Sequence, residues 1–485
     1  MSEFISNVLK LISGSIIAQI IAIGLIPIIT RLYTPEDYGL FSLILAISGI
    51  IVVFSSLSYQ LAIMLPKEDV DAAHIVILCC ILIMISSIFT GIIFIFFGDF
   101  IANILNVPKI SNYLLFVPII VFFTAIVSVF TYWNARRKRF GTIALAQSSN
   151  SFLSKIIQIG AGIGSASLFG LITGYFIGYI SAITFFLKGF FEDFILFKKI
   201  SRQRLKSLAI RYKKFPLFTS WSTTANTISI QIAPLLLVYF YSPVIVGYYT
   251  IANQVVQMPM SLIGSAIGQV FFQRASEDKN KTDNISEIVH GVHRRLVSFG
   301  IFPMLLLLII GEDLFALALG TEWATAGLYV KILVPWLLLV FIASPLSTIF
   351  SVLERQHIDL SFNVTLLISR IGVLCIGGVL FDPIGTLILY SITGIFFWGW
   401  LNMYLLEISN IPYKDGLIDY LRYFTYGSVI AVPLILLKLF YSQSVYLLVI
   451  VGILSLIFYY IIIFNQDPLL KGFIIEVFRG VKDGN

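Results

Sequence analysis

Leu32-Tyr33-Thr34-Pro35-Glu36-Asp37-Tyr38-Gly39 and Phe240-Tyr241-Ser242-Pro243-Val244-Ile245-Val246-Gly247 are two versions of one turn. Aligned without gaps, Tyr33 meets Tyr241, Pro35 meets Pro243 and Gly39 meets Gly247. Each copy joins one long apolar segment to the next. A repeat of this period sets the architecture before any single helix is assigned. At a slightly larger offset Ser154-Lys155 meets Ser369-Arg370, Gly170 meets Gly385 and Tyr175 meets Tyr390. A few residues inserted in loops account for the change.

The composition says where these segments live. Of the 485 residues 58% are hydrophobic and 12% charged, and mean hydropathy is +0.96; soluble chains carry roughly 25% charge. The apolar surface must face lipid, so the chain is read as an all-α polytopic membrane protein. A span needs about 20 mostly apolar residues, and turn residues, prolines and charges divide the chain into about 14 such segments. Six centre near Ile20, Gly49, Ile85, Phe122, Ser154 and Ile180, and six near Gln231, Met258, Leu305, Val340, Ile368 and Phe396. Two more centre near Val432 and Gly452. The stretch from Gly311 to Gly320 reads either as the end of a span or as a surface helix. The expected domains are a six-helix bundle over 1–200, a second over 201–408, and two further helices with a tail over 409–485. Even numbers of spans make the two halves parallel repeats, with the substrate site between them.

Lysine and arginine set the orientation. With a cytoplasmic amino terminus, most of the 32 fall inside: Arg136-Arg137-Lys138-Arg139, the 191–214 connector, Arg274 to Arg295, Arg355, Lys414 and the tail. Arg31, Lys109, Lys331 and Lys438 fall outside. The apolar run from Leu11 to Ile29 is too long for a signal peptide and lacks its cleavage site, so it is the first span. In the connector, Phe197, Ile200, Leu205, Leu208 and Tyr212 recur at helical spacing among basic residues. That pattern suits a helix on an anionic membrane surface or a solvated linker. The net charge of +7 is a topology signal, and nucleic acid is not an expected partner. Cys79, Cys80 and Cys375 sit in apolar runs, as buried reduced thiols.

Lys155 and Arg370 carry the most information. Each lies about fourteen residues past a helix start, roughly 20 Å into a ~30 Å core, where one charge costs ~2.5–3.5 kcal/mol. No carboxylate lies deep in a span to pair with them, since Glu312, Asp313, Glu354 and Asp359 are near ends. The alternatives are a salt bridge or a wet cavity that receives an anion, and the missing acids favour the cavity. The first span carries Ser13, Ser15 and Gln19, then Pro27. The seventh carries a run from Ser220 to Gln231 that includes Ser222 and Asn226, then Pro234. Small hydroxyls also suit helix packing; the amides suit a cavity that binds sugar hydroxyls or phosphate. The two prolines remove a backbone donor and permit a hinge. The candidate substrate-binding residues are therefore Lys155, Arg370, Arg31, Gln19, Asn226 and Gln231, with hinges at Pro27 and Pro234. Gly160-Ala161-Gly162-Ile163-Gly164 is read as close packing rather than a phosphate loop. His74, His290, His293 and His357 lie at helix ends without a metal-ligand array, and no nucleophile–base set marks an enzyme.

The repeat, the Tyr-x-Pro-x-x-x-Gly turn, the basic loop from Asn134 to Phe140, the Lys155/Arg370 pair and two helices beyond twelve together resemble the polysaccharide-transport branch of the multidrug/oligosaccharidyl-lipid/polysaccharide exporter superfamily, which includes the O-antigen and capsule repeat-unit flippases. That resemblance implies a V-shaped, MATE-like pair of six-helix bundles around a cationic cavity, in the bacterial cytoplasmic membrane, with both termini cytoplasmic. It implies alternating access that moves an undecaprenyl-diphosphate-linked glycan from the inner to the outer leaflet. Membrane lipids, a polysaccharide polymerase and a chain-length regulator would be its partners. No cofactor is implied beyond a coupling ion of unknown identity. A drug/cation antiporter of the same superfamily is the alternative, disfavoured by the missing intramembrane acid. A lipid II flippase is another, and would carry more arginines in its first helices.

Overall fold

The computed structural model describes residues 18–466, apart from 283–284, 354 and 441–443. Ser13, Ser15, Glu354, the side chains of Ser222 and Arg274, and the tail from 467 lie outside the described residues. The described chain is helical without strands. Its first half contains α1 (Ile26–Leu32), α2 (Pro35–Ser55), α3 (Asp69–Ile104), α4 (Val117–Arg136), α5 (Phe140–Ile163) and α6 (Ser167–Glu192). The connector supplies α7 (Arg202–Arg211). Then come α8 (Ser220–Phe240), α9 (Pro243–Thr282), α10 (Ser286–Leu319), α11 (Ala324–Leu346), α12 (Gln356–Leu380) and α13 (Pro383–Glu407). α14 (Tyr413–Phe440) and α15 (Val445–Gln466) complete it.

Among the described residues, 11 helices are long and apolar enough to cross a membrane. The chain is a multi-pass membrane protein. The 11 are α2, α3, α4, α6, α8 and α10 to α15, against about 14 segments expected from hydropathy. Of the other three, the first segment and α9 are only partly described. α5 is different in kind: its 24 residues suffice in length, but Gln147, Ser148, Ser149, Asn150, Ser151, Ser154, Lys155 and Gln158 make it too polar. The helix that least resembles a span is the one on which the site is built.

The opening turn is a capped helix start. Thr34 Oγ1 accepts from the Asp37 N–H at 3.2 Å, and Asp37 Oδ2 accepts from the Thr34 N–H at 3.2 Å. This reciprocal box satisfies two otherwise orphaned donors, and Pro35 needs no donor at the first helical position. The second copy keeps the proline but has Ile245 where Asp37 stands. α10 runs unbroken through Gly311 to Leu319, so that stretch is the end of a span.

Part of the connector's apolar stripe is covered by protein, while its basic face and Ile210 are exposed. Leu208 is buried, and Leu205, Ala209 and Tyr212 pack with it against Ala72, Ile75 and Val76 of α3. Arg204 reaches Asp71 at 2.5 Å and Glu68 at 3.0 Å, and His74 Nε2 accepts from the Ser201 N–H at 3.0 Å. Leu205, Leu208 and Tyr212 of the apolar stripe close the end of α3.

Two compact packing units result, residues 1–258 with 357–390, and residues 259–356 with 391–485. In the second, α14 and α15 lie on α10: the Tyr459 hydroxyl donates to the Ser298 carbonyl at 2.8 Å, and its ring stacks on Phe302 at 4.7 Å. Lys438 pairs with Asp313 at 2.7 Å.

Candidate functional site

Within the first unit lies a cavity of about 330 Å³ bounded by α2, α5, α6 and α9. One face of α5 supplies Gln147, Asn150, Ser151, Ser154, Lys155 and Gln158. These positions recur at three- and four-residue steps, the spacing of a single helix face. Opposite stand Tyr175 and Tyr179 of α6, Ser42 of α2, and Thr250 and Gln254 of α9. Among the described residues, no aspartate or glutamate lines the cavity.

Lys155 Nζ donates to Gln158 Oε1 at 3.1 Å, using one of its three protons. Gln158 is in turn held on every side. Its Nε2 donates to the Leu171 carbonyl of α6 at 3.1 Å, and its own carbonyl accepts from the Tyr33 hydroxyl at 2.6 Å. The opening turn is therefore bonded to the residue that orients the buried ammonium. The amide partner is neutral, and among the described residues no carboxylate pairs with Lys155; a cation so placed in a confined polar cavity attracts an anion.

α5 and α6 approach closely because α6 presents a stripe of glycines, Gly170, Gly174 and Gly178. A Cβ on Gly174 would lie 2.7 Å from the Ser154 carbonyl oxygen, and one on Gly178 2.8 Å from that of Asn150. Small residues at this spacing let helix backbones meet. Gly162 belongs to the same packing, since a Cβ there would press on Leu32 and Tyr33.

The two halves meet about a local two-fold relation. Ser42 Oγ and Thr250 Oγ1, 208 positions apart, are 2.8 Å from each other. A Cβ on Gly39 would overlap the Pro243 carbonyl, and a Cβ on Gly247 would overlap the Pro35 carbonyl. The ring of Phe41 meets Tyr175 edge-on at 5.8 Å, while its counterpart Tyr249 is hydrogen-bonded to Tyr390. Tyr241 repeats the anchor of Tyr33 in the second copy, donating to the Phe381 carbonyl just past α12 at 2.9 Å and meeting Thr386 Oγ1 of α13 at 2.5 Å.

The symmetry does not extend to the cations. Arg370 is buried and does not line the cavity. Its guanidinium donates to the carbonyl and hydroxyl of Ser229, each at 3.1 Å, and lies 5.6 Å from the Tyr390 ring centroid. Where α5 has Asn150, Ser151 and Gln158, α12 has Thr365, Leu366 and Val373, so the second copy lacks the polar face. Of the other expected residues, Gln19 is half-buried, one position past Ala18, whose carbonyl accepts from Ser151 Oγ at 2.7 Å. Gln231 packs its amide over Gly49 of α2. Arg31, in the last turn of α1, and Asn226, on α8, are exposed. Pro27 opens α1, and Pro234 is buried inside α8. Gln147, Asn150, Ser151, Ser154 and Gln158 were not singled out from the sequence, although their spacing was there to be read.

A family model described as "Polysaccharide biosynthesis protein" matches residues 28–327, a span that holds both turns. No curated protein matches the chain. Among solved structures it is similar to the lipid II flippase MurJ in an inward closed conformation, with TM-score 0.70 and 15% identity over 95% of this chain and 99% of that one. It is also similar to an inward-facing multidrug resistance MATE family transporter of the MOP superfamily, with TM-score 0.55 and 14% identity over 81% and 96%. A Vibrio cholerae MATE transporter, VcmN, is similar at TM-score 0.53 and 13% identity over 84% and 96%. At these identities the likeness is one of fold.

Proposed function

The chain belongs to the polysaccharide biosynthesis protein family, and we propose that it moves an undecaprenyl-diphosphate-linked oligosaccharide from the inner to the outer leaflet of a bacterial cytoplasmic membrane. The observation that carries this reading is the cavity around Lys155. It joins one ammonium to amides and hydroxyls and, among the described residues, holds no carboxylate. That is the chemistry of a phosphorylated sugar: the ammonium meets the anion, and neutral donors and acceptors meet hydroxyls.

A polyprenyl tail has no need of the cavity and stays in lipid while the headgroup passes. A cavity of about 330 Å³ is at the small end for a ligand site, so an oligosaccharide needs the cavity to widen during transport. A cationic drug would find the wrong charge here, which disfavours the antiporter reading. Alternating access would open and reseal the contact between the two turns, at the outer surface if the amino terminus is cytoplasmic. Lys155 and Ser154 would hold the diphosphate, and Gln147 and Asn150 the first sugar.

The test is translocation by the purified full chain in proteoliposomes. A polyprenyl-diphosphate oligosaccharide with a fluorescent sugar is supplied in both leaflets, and a membrane-impermeant quencher reports its movement. Protein-dependent loss of the protected fraction supports the reading. Fluorescence that stays protected at the level of empty liposomes overturns it.

A further inference from the structure

The second unit contains a buried acid–imidazole cluster that a cavity for glycan headgroups does not use. Asp419 of α14 is almost fully buried. Its Oδ2 lies 3.1 Å from His290 Nε2 and 3.6 Å from His293 Nδ1, both on α10. The two histidines are one helical turn apart, so a single carboxylate oxygen from the facing helix stands against both rings. His290 is at the rim, its side chain 37% exposed, and His293 is sealed at 0%.

His293 is the anomaly. Both ring nitrogens are buried with no hydrogen-bond partner. A buried polar atom left unpaired is costly, and a buried carboxylate needs a counter-charge more strongly still. A neutral His293 supplies neither. One proton changes both accounts. It makes the ring a cation beside Asp419, and a small rotation from 3.6 Å yields a charge-assisted hydrogen bond.

We propose that Asp419, His290 and His293 form a proton-binding site that fastens α14 to α10. The proton enters from water at His290 and is held between His293 and Asp419. With the proton bound, the cluster is an ion pair and α14 is held tightly. Without it, a buried carboxylate faces neutral rings and the contact weakens. Imidazoles ordinarily change charge between about pH 5 and 8, which suits a site that answers to a proton gradient.

Some of the surrounding groups are engaged elsewhere, while the buried Tyr420 hydroxyl has no hydrogen-bond partner among the described residues. Arg294 donates to the Tyr423 hydroxyl at 3.0 Å, and Tyr459 of α15 is spent on Ser298. Tyr420 meets the His293 ring edge-on at 5.4 Å. Glu407, just before α14, is taken up by the Tyr413 hydroxyl. Glu287 and Arg295 lie on α10 and Asp415 and Arg422 on α14, next to the cluster in sequence. The cluster lies in the first turns of two helices long and apolar enough to cross a membrane, with His290 at its rim, where a proton from one side of the membrane can reach an ionisable site.

The test needs no cargo, so it stands or falls separately from the flippase reading. The full chain in nanodiscs is followed by amide hydrogen exchange at about pH 6 and about pH 8, each rate corrected for the intrinsic pH dependence of exchange. The first turns of α14 are expected to exchange about tenfold more slowly at the lower pH. Asp419→Asn and His293→Gln are each expected to remove that difference, whereas a merely structural role would speed exchange equally at both. Equal protection of the wild-type chain at the two values overturns the proposal without any variant. So does a pH response that survives in both variants, or one that a chelator abolishes at constant pH, which would make the ligand a metal ion.

Discussion

Ser42 and Thr250 share a 2.8 Å hydrogen bond across 208 positions of sequence, so equivalent residues of the two repeats touch each other directly. Contact between equivalents occurs only near a two-fold axis. The glycine clasp around it, Gly39 on Pro243 and Gly247 on Pro35, is reciprocal for the same reason. The Tyr-x-Pro-x-x-x-Gly turn thus has three separate duties. Its tyrosine anchors the neighbouring cation-bearing helix, its proline starts the next helix, and its glycine lets the two copies meet.

The clasp can be locked. In a Ser42→Cys, Thr250→Cys double variant, a disulfide is expected to form under mild oxidation and to stop translocation, with recovery on reduction. Transport at the wild-type rate with the crosslink formed would show that this contact never opens.

Gly39→Ala puts a methyl group into the Pro243 carbonyl. Overpacking of this kind costs about 1–3 kcal/mol, charged only to the state in which the turns touch. The expected result is faster labelling of a cysteine at Thr250 by a water-soluble maleimide, by about tenfold at 1.4 kcal/mol. Unchanged labelling would remove the clasp from the account.

The glycine stripe of α6 makes a second packing prediction. Gly174→Ala drives a Cβ against Ser154 and Gln158 of α5, at about 1–3 kcal/mol. Because those residues flank Lys155, translocation is expected to fall more than thermal stability does, measured on one preparation. Gly372→Ala on α12, where a Cβ meets nothing within 4 Å, is the neutral control.

At the far end of α6, Asp193 is buried and paired with Arg139 at 2.6 Å and Arg137 at 3.1 Å, and it accepts from Trp133 Nε1 at 3.0 Å. Asp193→Asn removes one of two carboxylates from each guanidinium, Arg137 keeping Asp69 and Arg139 keeping Glu192. The expected loss is about 1.5–3 kcal/mol of stability, read as a lower thermal midpoint in detergent, with little change in the cavity.

Much of this was legible in one dimension. The turn repeats as a string, so the duplication could be read from eight residues, and Lys155 stands out because a charge in an apolar run has few reasons to be there. What stayed hidden depends on which helix lies next to which. The face from Gln147 to Gln158 is periodic, but only the neighbouring Tyr175 and Thr250 turn it into a cavity. Lys155 and Arg370 align as equals, yet Ser229 and Tyr390 engage Arg370, whereas Lys155 donates to Gln158 beside the cavity. Leu205 and Leu208 mark an amphipathic helix, and nothing in their spacing says that α3, rather than lipid, covers them. Asp419 lies only six residues into its helix, and its importance comes wholly from two histidines 129 and 126 positions away.

The most direct measurement is the translocation rate of the Lys155→Ala variant in proteoliposomes, beside Lys155→Arg and the wild-type chain at matched protein density. Loss of a charge that faces the anion at about 2–5 kcal/mol predicts a fall of at least tenfold for alanine, with arginine retaining a measurable part of the wild-type rate. A Lys155→Ala chain that moves the diphosphate-linked cargo at the wild-type rate would contradict the account.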